Sequence, residues 1–457
     1  MAALIREGAL SPVELLDAHL RQIDACNPGV NAFVAVREVE ARAEARECEA
    51  AIRGAEAPGA LHGIPLTVKD SFDVAGLPTR AGSRLRSATA AAHDAPEVAR
   101  LRAAGAIILG KTNTPELLAN FETDNFLTGR TNNPWNLERT PGGSSGGEAA
   151  AIAACCSAGG LGTDGGGSIR IPSHFCGIAG LKTTPGRIPV GGHFPALGHP
   201  GGLLTVAGPM ARDARDLRLL FGVLAGYDAE DPFSVPVPLR EPSSAGVRLG
   251  IWEQFGAVPV APEIRSAVQQ AGRWMEAAGF PVEPFAPSGL DRAPNIWAAL
   301  FKWPLIAIRK LAEAREADLH WTLQEALDPR DPSAESLLTT LAARDRLRAA
   351  FLRQLGSLAA VIMPVCGVTA FPHRCRKFSA GDAEIGLFQA VMPAVLANVL
   401  GLPAVTVPVA VSAEGLPIGV QLIGRPFDEE LLLELAIRLQ DESGRPVGAP
   451  PCVAPLS

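Results

Sequence analysis

Short, continuous apolar runs alternate along this chain with longer segments of helical periodicity, and that alternation constrains the fold more than any other feature. Ile64-Pro65-Leu66-Thr67-Val68, Ala106-Ile107-Ile108-Leu109, Val247 to Trp252, Ala360 to Met363, Ala404 to Val409 and Ile418 to Ile423 read as buried strands. Helix signals fall between and around them, at about 37–53, 95–104, 262–278, 338–354 and 428–440. Ser11-Pro12-Val13-Glu14 opens another helix, with a capping serine, proline at the first helical position and Leu15, Leu16, Leu20 and Ile23 on one face. Strands alternating with helices bury both faces of a sheet, which predicts an α/β fold. No repeat or low-complexity linker divides the chain. The proline-rich stretch from Pro232 to Pro242 is the expected crossing between halves, and residues 291–327 are expected to be helical and carry Trp297, Trp303 and Trp321.

Composition removes several functions. A net charge of −7 leaves no electrostatic footprint for nucleic acid. The eight cysteines are scattered without a CxxC pair or a His/Cys spacing suited to zinc, so they read as reduced thiols, and neither metal nor cofactor is expected. Arg6, Glu7 and Pro12 interrupt the N-terminal apolar stretch, leaving neither a signal peptide nor a membrane span, so a cytoplasmic location is expected.

Two glycine-flanked serines stand out: Ser144 in GGSSGGEAA (Gly142 to Ala150) and Ser168 in GTDGGGSIR (Gly162 to Arg170). Read as G-x-S-x-G, the first loop would be a nucleophile elbow, needing a strand before it and an acid and a histidine downstream. Arg139-Thr140-Pro141 is no such strand, and His174, His193, His199, His320 and His373 stand in no recognisable triad setting. Neither loop continues into Gly-Lys-Ser/Thr, as a phosphate loop would. A tight turn explains either loop taken alone. Lys69 changes that balance, because it ends an apolar strand in a chain with only six lysines. Holding a lysine neutral near pH 7.5 takes a depression of roughly three pKa units, or about 4 kcal/mol, which burial can supply. A neutral amine then serves as the base that a serine nucleophile requires. Cys176 is an alternative nucleophile, but no paired histidine accompanies it.

Gly63-Ile64-Pro65 to Lys69-Asp70, Gly110-Lys111-Thr112-Asn113, Pro141 to Gly147 and Gly162 to Arg170 together resemble the amidase signature family of Ser-cisSer-Lys hydrolases. The spacings of 75 residues from Lys69 to Ser144 and 24 from Ser144 to Ser168 agree with it, as do GIAGLKTTP (Gly177 to Pro185) and GLPIGVQLIG (Gly415 to Gly424). The resemblance implies one domain over residues 1–457, with a large mixed sheet flanked by helices on both faces and a variable helical pocket segment at about 291–356. It makes Lys69 the neutral base, Ser144 a relay on a cis peptide, and Ser168 the nucleophile. Gly165, Gly166, Gly167 and Ser168 become the oxyanion-binding strip, where Gly165 departs from the larger residue often found there. Ser145, Asp164 and Arg170 become supports. Leu117, Leu118, Asn120, Phe121, Trp297, Phe301 and Trp303 fall at positions that face substrate.

The reaction so implied is hydrolysis of a carboxamide C–N bond through an acyl-enzyme, on a small-molecule amide or carbamate, by a monomer or homodimer. Apolar pocket positions favour hydrophobic or aryl substrates, with esters and urethanes within the same chemistry. The leading alternative is the glutamine-hydrolysing subunit of tRNA amidation, although Leu387-Phe388-Gln389-Ala390 lacks the acid that grips glutamine in those members. The remaining alternatives are a histidine-dependent hydrolase using Ser144 and a non-catalytic binding subunit.

Overall fold

The computed structural model describes residues 1–53, 59–313, 315–327 and 332–453. Its strands are β1 (Phe33–Val36), β2 (Pro65–Lys69), β3 (Ile107–Thr112), β4 (Gly159–Asp164), β5 (Ala179–Lys182), β6 (Val206–Ala211) and β7 (Leu249–Ile251). They continue with β8 (Val282–Pro284), β9 (Ala360–Pro364), β10 (Lys377–Ala380), β11 (Ala383–Gly386), β12 (Ala404–Val411) and β13 (Pro417–Gly424). All but the β10–β11 hairpin join one sheet in the order β1-β3-β2-β4-β6-β5-β12-β13-β9-β7-β8. The sheet is mixed, since β3, β2 and β4 run parallel while β4 through β9 pair antiparallel. The fold is α/β, as the alternation predicts.

Successive residues of one strand reach opposite faces, so both must be covered. In β3, Ile108 joins the apolar cluster that contains Leu217, Ile264 and Leu432, whereas Ile107 and Leu109 join Leu16, Leu20 and Ala150 on the other side. In β9, Ile362 belongs to the first cluster, and Val361 and Met363 pack with Trp297, Phe351 and Val395. These are the two helical layers. Ser11 caps the helix Pro12–Val30 by accepting the N–H groups of Val13 and Glu14. Residues 225–248, which include the proline-rich stretch and contain no helix or strand, connect the helix Ala214–Leu224 to β7, so the chain crosses there toward the far part of the sheet.

Strand β4, GGLGTD, carries no apolar run, yet it lies between β2 and β6 and is buried throughout. Its glycines answer to close approach: a Cβ on Gly160 would collide with the Glu148 carboxylate and the Thr67 carbonyl. With glycine at three of its six positions, β4 shows no apolar alternation by which a side-chain pattern could reveal it.

Candidate active site

Strands β2 and β4 are adjacent and parallel, so their carboxyl ends open at the same edge of the sheet. Crevices beyond such ends are the usual ligand sites of α/β folds. Lys69 is the last residue of β2 and Asp164 the last of β4. After Asp164 the chain passes through Gly165 to Ser168 into the helix Arg170–Cys176, while Ser144 and Ser145 precede the helix Gly146–Ala153. No strand leads into Ser144, so the strand–turn–helix of a nucleophile elbow is not formed.

Lys69 is fully buried, with Nζ 2.7 Å from Ser144 Oγ and 2.8 Å from Thr163 Oγ1. Burial pulls its pKa down to about 7, against the opposing pull of the Asp164 and Glu148 carboxylates. Burial also lifts Glu148 to about 7, although Thr67 and Thr112 both donate hydroxyls to it. The Gly143–Ser144 peptide is cis. Ser168 faces the cavity and its hydroxyl has no hydrogen-bond partner among the described residues. Ser145 ties the two serine loops together, donating its N–H to the Ser168 carbonyl at 3.1 Å and its hydroxyl to the Thr163 carbonyl at 3.2 Å.

Beneath the loop lies a buried ion pair. Burial opposes the Asp164 charge, yet the Arg170 guanidinium, at 3.0 Å, holds that carboxyl well below the usual range. Arg170 is completed by the Ala394 carbonyl, Gln421 Oε1 and Asn398 Oδ1, each at 2.7 Å. Asp164 also accepts the N–H of Gly167 at 2.8 Å and that of Ile169 at 3.2 Å. The Gly167 N–H, expected in the oxyanion strip, is therefore directed inward to Asp164. The N–H groups of Gly165, Gly166 and Ser168 have no acceptor among the described residues.

These loops form the floor of a cavity of about 270 Å³. Leu117, Leu118, Asn120, Phe121, Trp297, Phe301 and Trp303 all line it, together with Ser144, Gly165, Gly166 and Ser168. Lys69, Ser145, Asp164 and Arg170 stand behind the lining, and Trp321 lies outside it, beneath the Arg374 and Arg376 guanidiniums. Among the described residues, no Asp, Glu, Lys or Arg side chain lines the cavity.

Sequence reasoning missed Thr163, His193, Thr205 and the wall from Pro195 to Gly201. The Gly/Pro-rich run GGHFPALGHPGG marks a loop but carries no sign of where that loop packs. His193 is neutral, its pKa driven down to about 3 by burial, with Nδ1 2.8 Å from the Pro195 carbonyl. Among the described residues no histidine hydrogen-bonds Ser144 or Ser168. Asp70 is paired with Lys111 at 2.7 Å and so secures the strand end. Cys176 is buried against the Pro141 carbonyl, and burial alone pushes its thiol far up, away from a reactive thiolate. All eight cysteines are free thiols. The described residues contain no His/Cys/Asp/Glu group arranged for a metal ion, and no helix among them is long and apolar enough to cross a membrane.

An α/β sheet that brings a buried lysine and two serines to one apolar cavity defines a hydrolytic enzyme. The chain belongs to the Amidase family, whose model matches residues 14–433, and it is an amide-hydrolysing enzyme. It is similar to an indoleacetamide hydrolase of Bradyrhizobium diazoefficiens, with 33% identity across 97% of this chain and 86% of the relative. It is 35% identical to a glutamyl-tRNA(Gln) amidotransferase subunit of Roseiflexus castenholzii, across 94% of this chain and 92% of the relative. Among solved structures, a bacterial aryl acylamidase of the amidase signature family superposes with a TM-score of 0.87 at 28% identity, covering 98% of each chain.

Proposed function

We propose that this enzyme hydrolyses amides of hydrophobic or aryl acids through an acyl-enzyme on Ser168. The observation that carries the reading is the cavity wall, on which no described residue is charged. Free glutamine brings an ammonium and a carboxylate, and burying either without a partner costs several kcal/mol. The likenesses to an indoleacetamide hydrolase and an aryl acylamidase favour aromatic amides, and the likeness to the amidotransferase subunit makes glutamine the competing substrate.

In this mechanism neutral Lys69 takes the Ser144 hydroxyl proton while Ser144 takes that of Ser168. Ser168 Oγ bonds to the carbonyl carbon, and the N–H groups of Gly165, Gly166 and Ser168 receive the oxyanion. On collapse the C–N bond breaks, and the proton held by Lys69 returns through Ser144 to the leaving nitrogen. Water then attacks the ester along the same path and releases the acid. The substrate is a small molecule, and the protein works alone or as a homodimer.

The test compares kcat/KM for N-(4-nitrophenyl)benzamide, the matching phenyl ester and carbamate, acetamide and glutamine. A buried CH₂ is worth about 0.8 kcal/mol, so three or four suffice for about a hundredfold preference for the aryl amide. Glutamine hydrolysed as well as the aryl amide overturns the reading.

A further inference from the structure

Trp297 lies in the helix Ala293–Leu311, 132 residues beyond Gly165, and its indole Nε1–H donates to the Gly165 carbonyl at 2.7 Å. The same ring fills the space over Gly166, where an added Cβ would lie 2.7 Å from Trp297 Cζ2. Trp297 is buried, stacked on Phe301 at 4.7 Å between centroids and flanked by Phe388 at 5.6 Å and Phe121 at 6.2 Å.

In a trans peptide the C=O of one residue and the N–H of the next share a plane and point in opposite directions. Fixing the Gly165 carbonyl on the indole therefore fixes the direction of the Gly166 N–H. Such a restraint matters here because three consecutive glycines, Gly165 to Gly167, leave their peptide planes unusually free to rotate. The following plane has its own anchor, since the Gly167 N–H is held by Asp164. A hydrogen bond accepted by a carbonyl also polarises its peptide, making the N–H a better donor.

We propose that Trp297 is a positioning residue for the oxyanion strip: it aims the Gly166 N–H at the developing oxyanion and links occupancy of the aromatic wall to that alignment. The proposal rests on the reading of Ser168 as nucleophile. A substrate that packs against Trp297 and Phe301 presses on the same ring that holds the Gly165 carbonyl, so a well-fitting aryl group is rewarded in kcat as well as in KM.

The experiment uses Trp297→Phe, which keeps an aromatic ring and removes the N–H. With N-(4-nitrophenyl)benzamide, kcat is expected to fall about tenfold to hundredfold, below the loss from deleting a whole oxyanion donor, while KM stays within about threefold. Affinity for trifluoroacetophenone, which adds Ser168 Oγ as a reversible hemiketal, should fall by the same factor as kcat/KM. A rise in KM with unchanged kcat makes Trp297 only a pocket wall and overturns the proposal. Should the variant not fold, exchange of the Trp297 indole proton in the wild type decides. Protection that increases when the ketone binds supports the coupling, and exchange at the solvent rate with and without ketone overturns it. Fluorophosphonate labelling of the wild type separates the two layers. A label away from Ser168 sinks the mechanism and this proposal with it, whereas labelled Ser168 with unaltered kcat in Trp297→Phe sinks this proposal alone.

Discussion

Lys69 Nζ lies 2.7 Å from Ser144 Oγ at the carboxyl end of β2, with the lysine wholly shielded from solvent. Burial is the largest influence on its charge and brings its pKa to about 7, so near neutrality the amine is divided between its two forms. Only the neutral form takes a proton.

Activity should follow that titration. Because the base must be unprotonated, kcat/KM is expected to fall tenfold per pH unit below about 7 and to level off above it. Lys69→Ala should lose roughly 10²- to 10⁴-fold at neutral pH, its residual rate climbing with pH as hydroxide substitutes. A pH profile of the wild type without an inflection near 7 removes Lys69 from the role of base.

Thr163 offers a finer test of the same amine. Its hydroxyl accepts from Lys69 Nζ at 2.8 Å, and an acceptor stabilises an ammonium more than a neutral amine. Thr163→Val should therefore move the acid limb of the kcat/KM profile to lower pH. A limb shifted upward, or left unmoved, contradicts that assignment.

The acyl group should be carried by Ser168. Peptide mapping after fluorophosphonate treatment is expected to place the added mass on the Ser168 peptide, and Ser168→Ala should neither react nor turn over substrate. Ser144→Ala should retain some activity, because water can stand in as relay. A label on Ser144 would instead return attention to the histidine-dependent reading.

Arg170 is a stability element that, through Asp164, also shapes the loop around Ser168. It and Asp164 are both fully buried, so Arg170→Leu strands a carboxylate in the interior, at a cost of about 3–5 kcal/mol. Urea denaturation should show a corresponding fall in unfolding free energy. A loss under about 1 kcal/mol would mean that the carboxylate finds other partners or takes up a proton.

The residues that meet at the cavity were largely legible because they sit on local patterns. Lys69 ends an apolar run, and glycine repeats bracket Ser144 and Ser168, so residue type and spacing carry the signal. What escaped depends on packing across long separations. Thr163 reads as an ordinary strand residue, and only the pairing of β2 with β4 brings it to the lysine. His193 enters the cavity wall through a loop that docks at Phe72, its ring edge-on at 5.0 Å. The inward turn of the Gly167 N–H is likewise invisible in GGGS, because it depends on where the Asp164 carboxylate points.

The bond between Trp297 and Gly165 has a consequence for redesign. Exchanging the helical segment for that of a relative is the obvious way to graft a new specificity, since Lys69, Ser144 and Ser168 all lie outside it. Yet one of its side chains reaches into the loop that precedes Ser168, so the segment is not a detachable cassette. A transplant that places no donor opposite the Gly165 carbonyl would deliver a chimera with the desired pocket and a slackened engine, and libraries built there should hold position 297 constant or compensate for it.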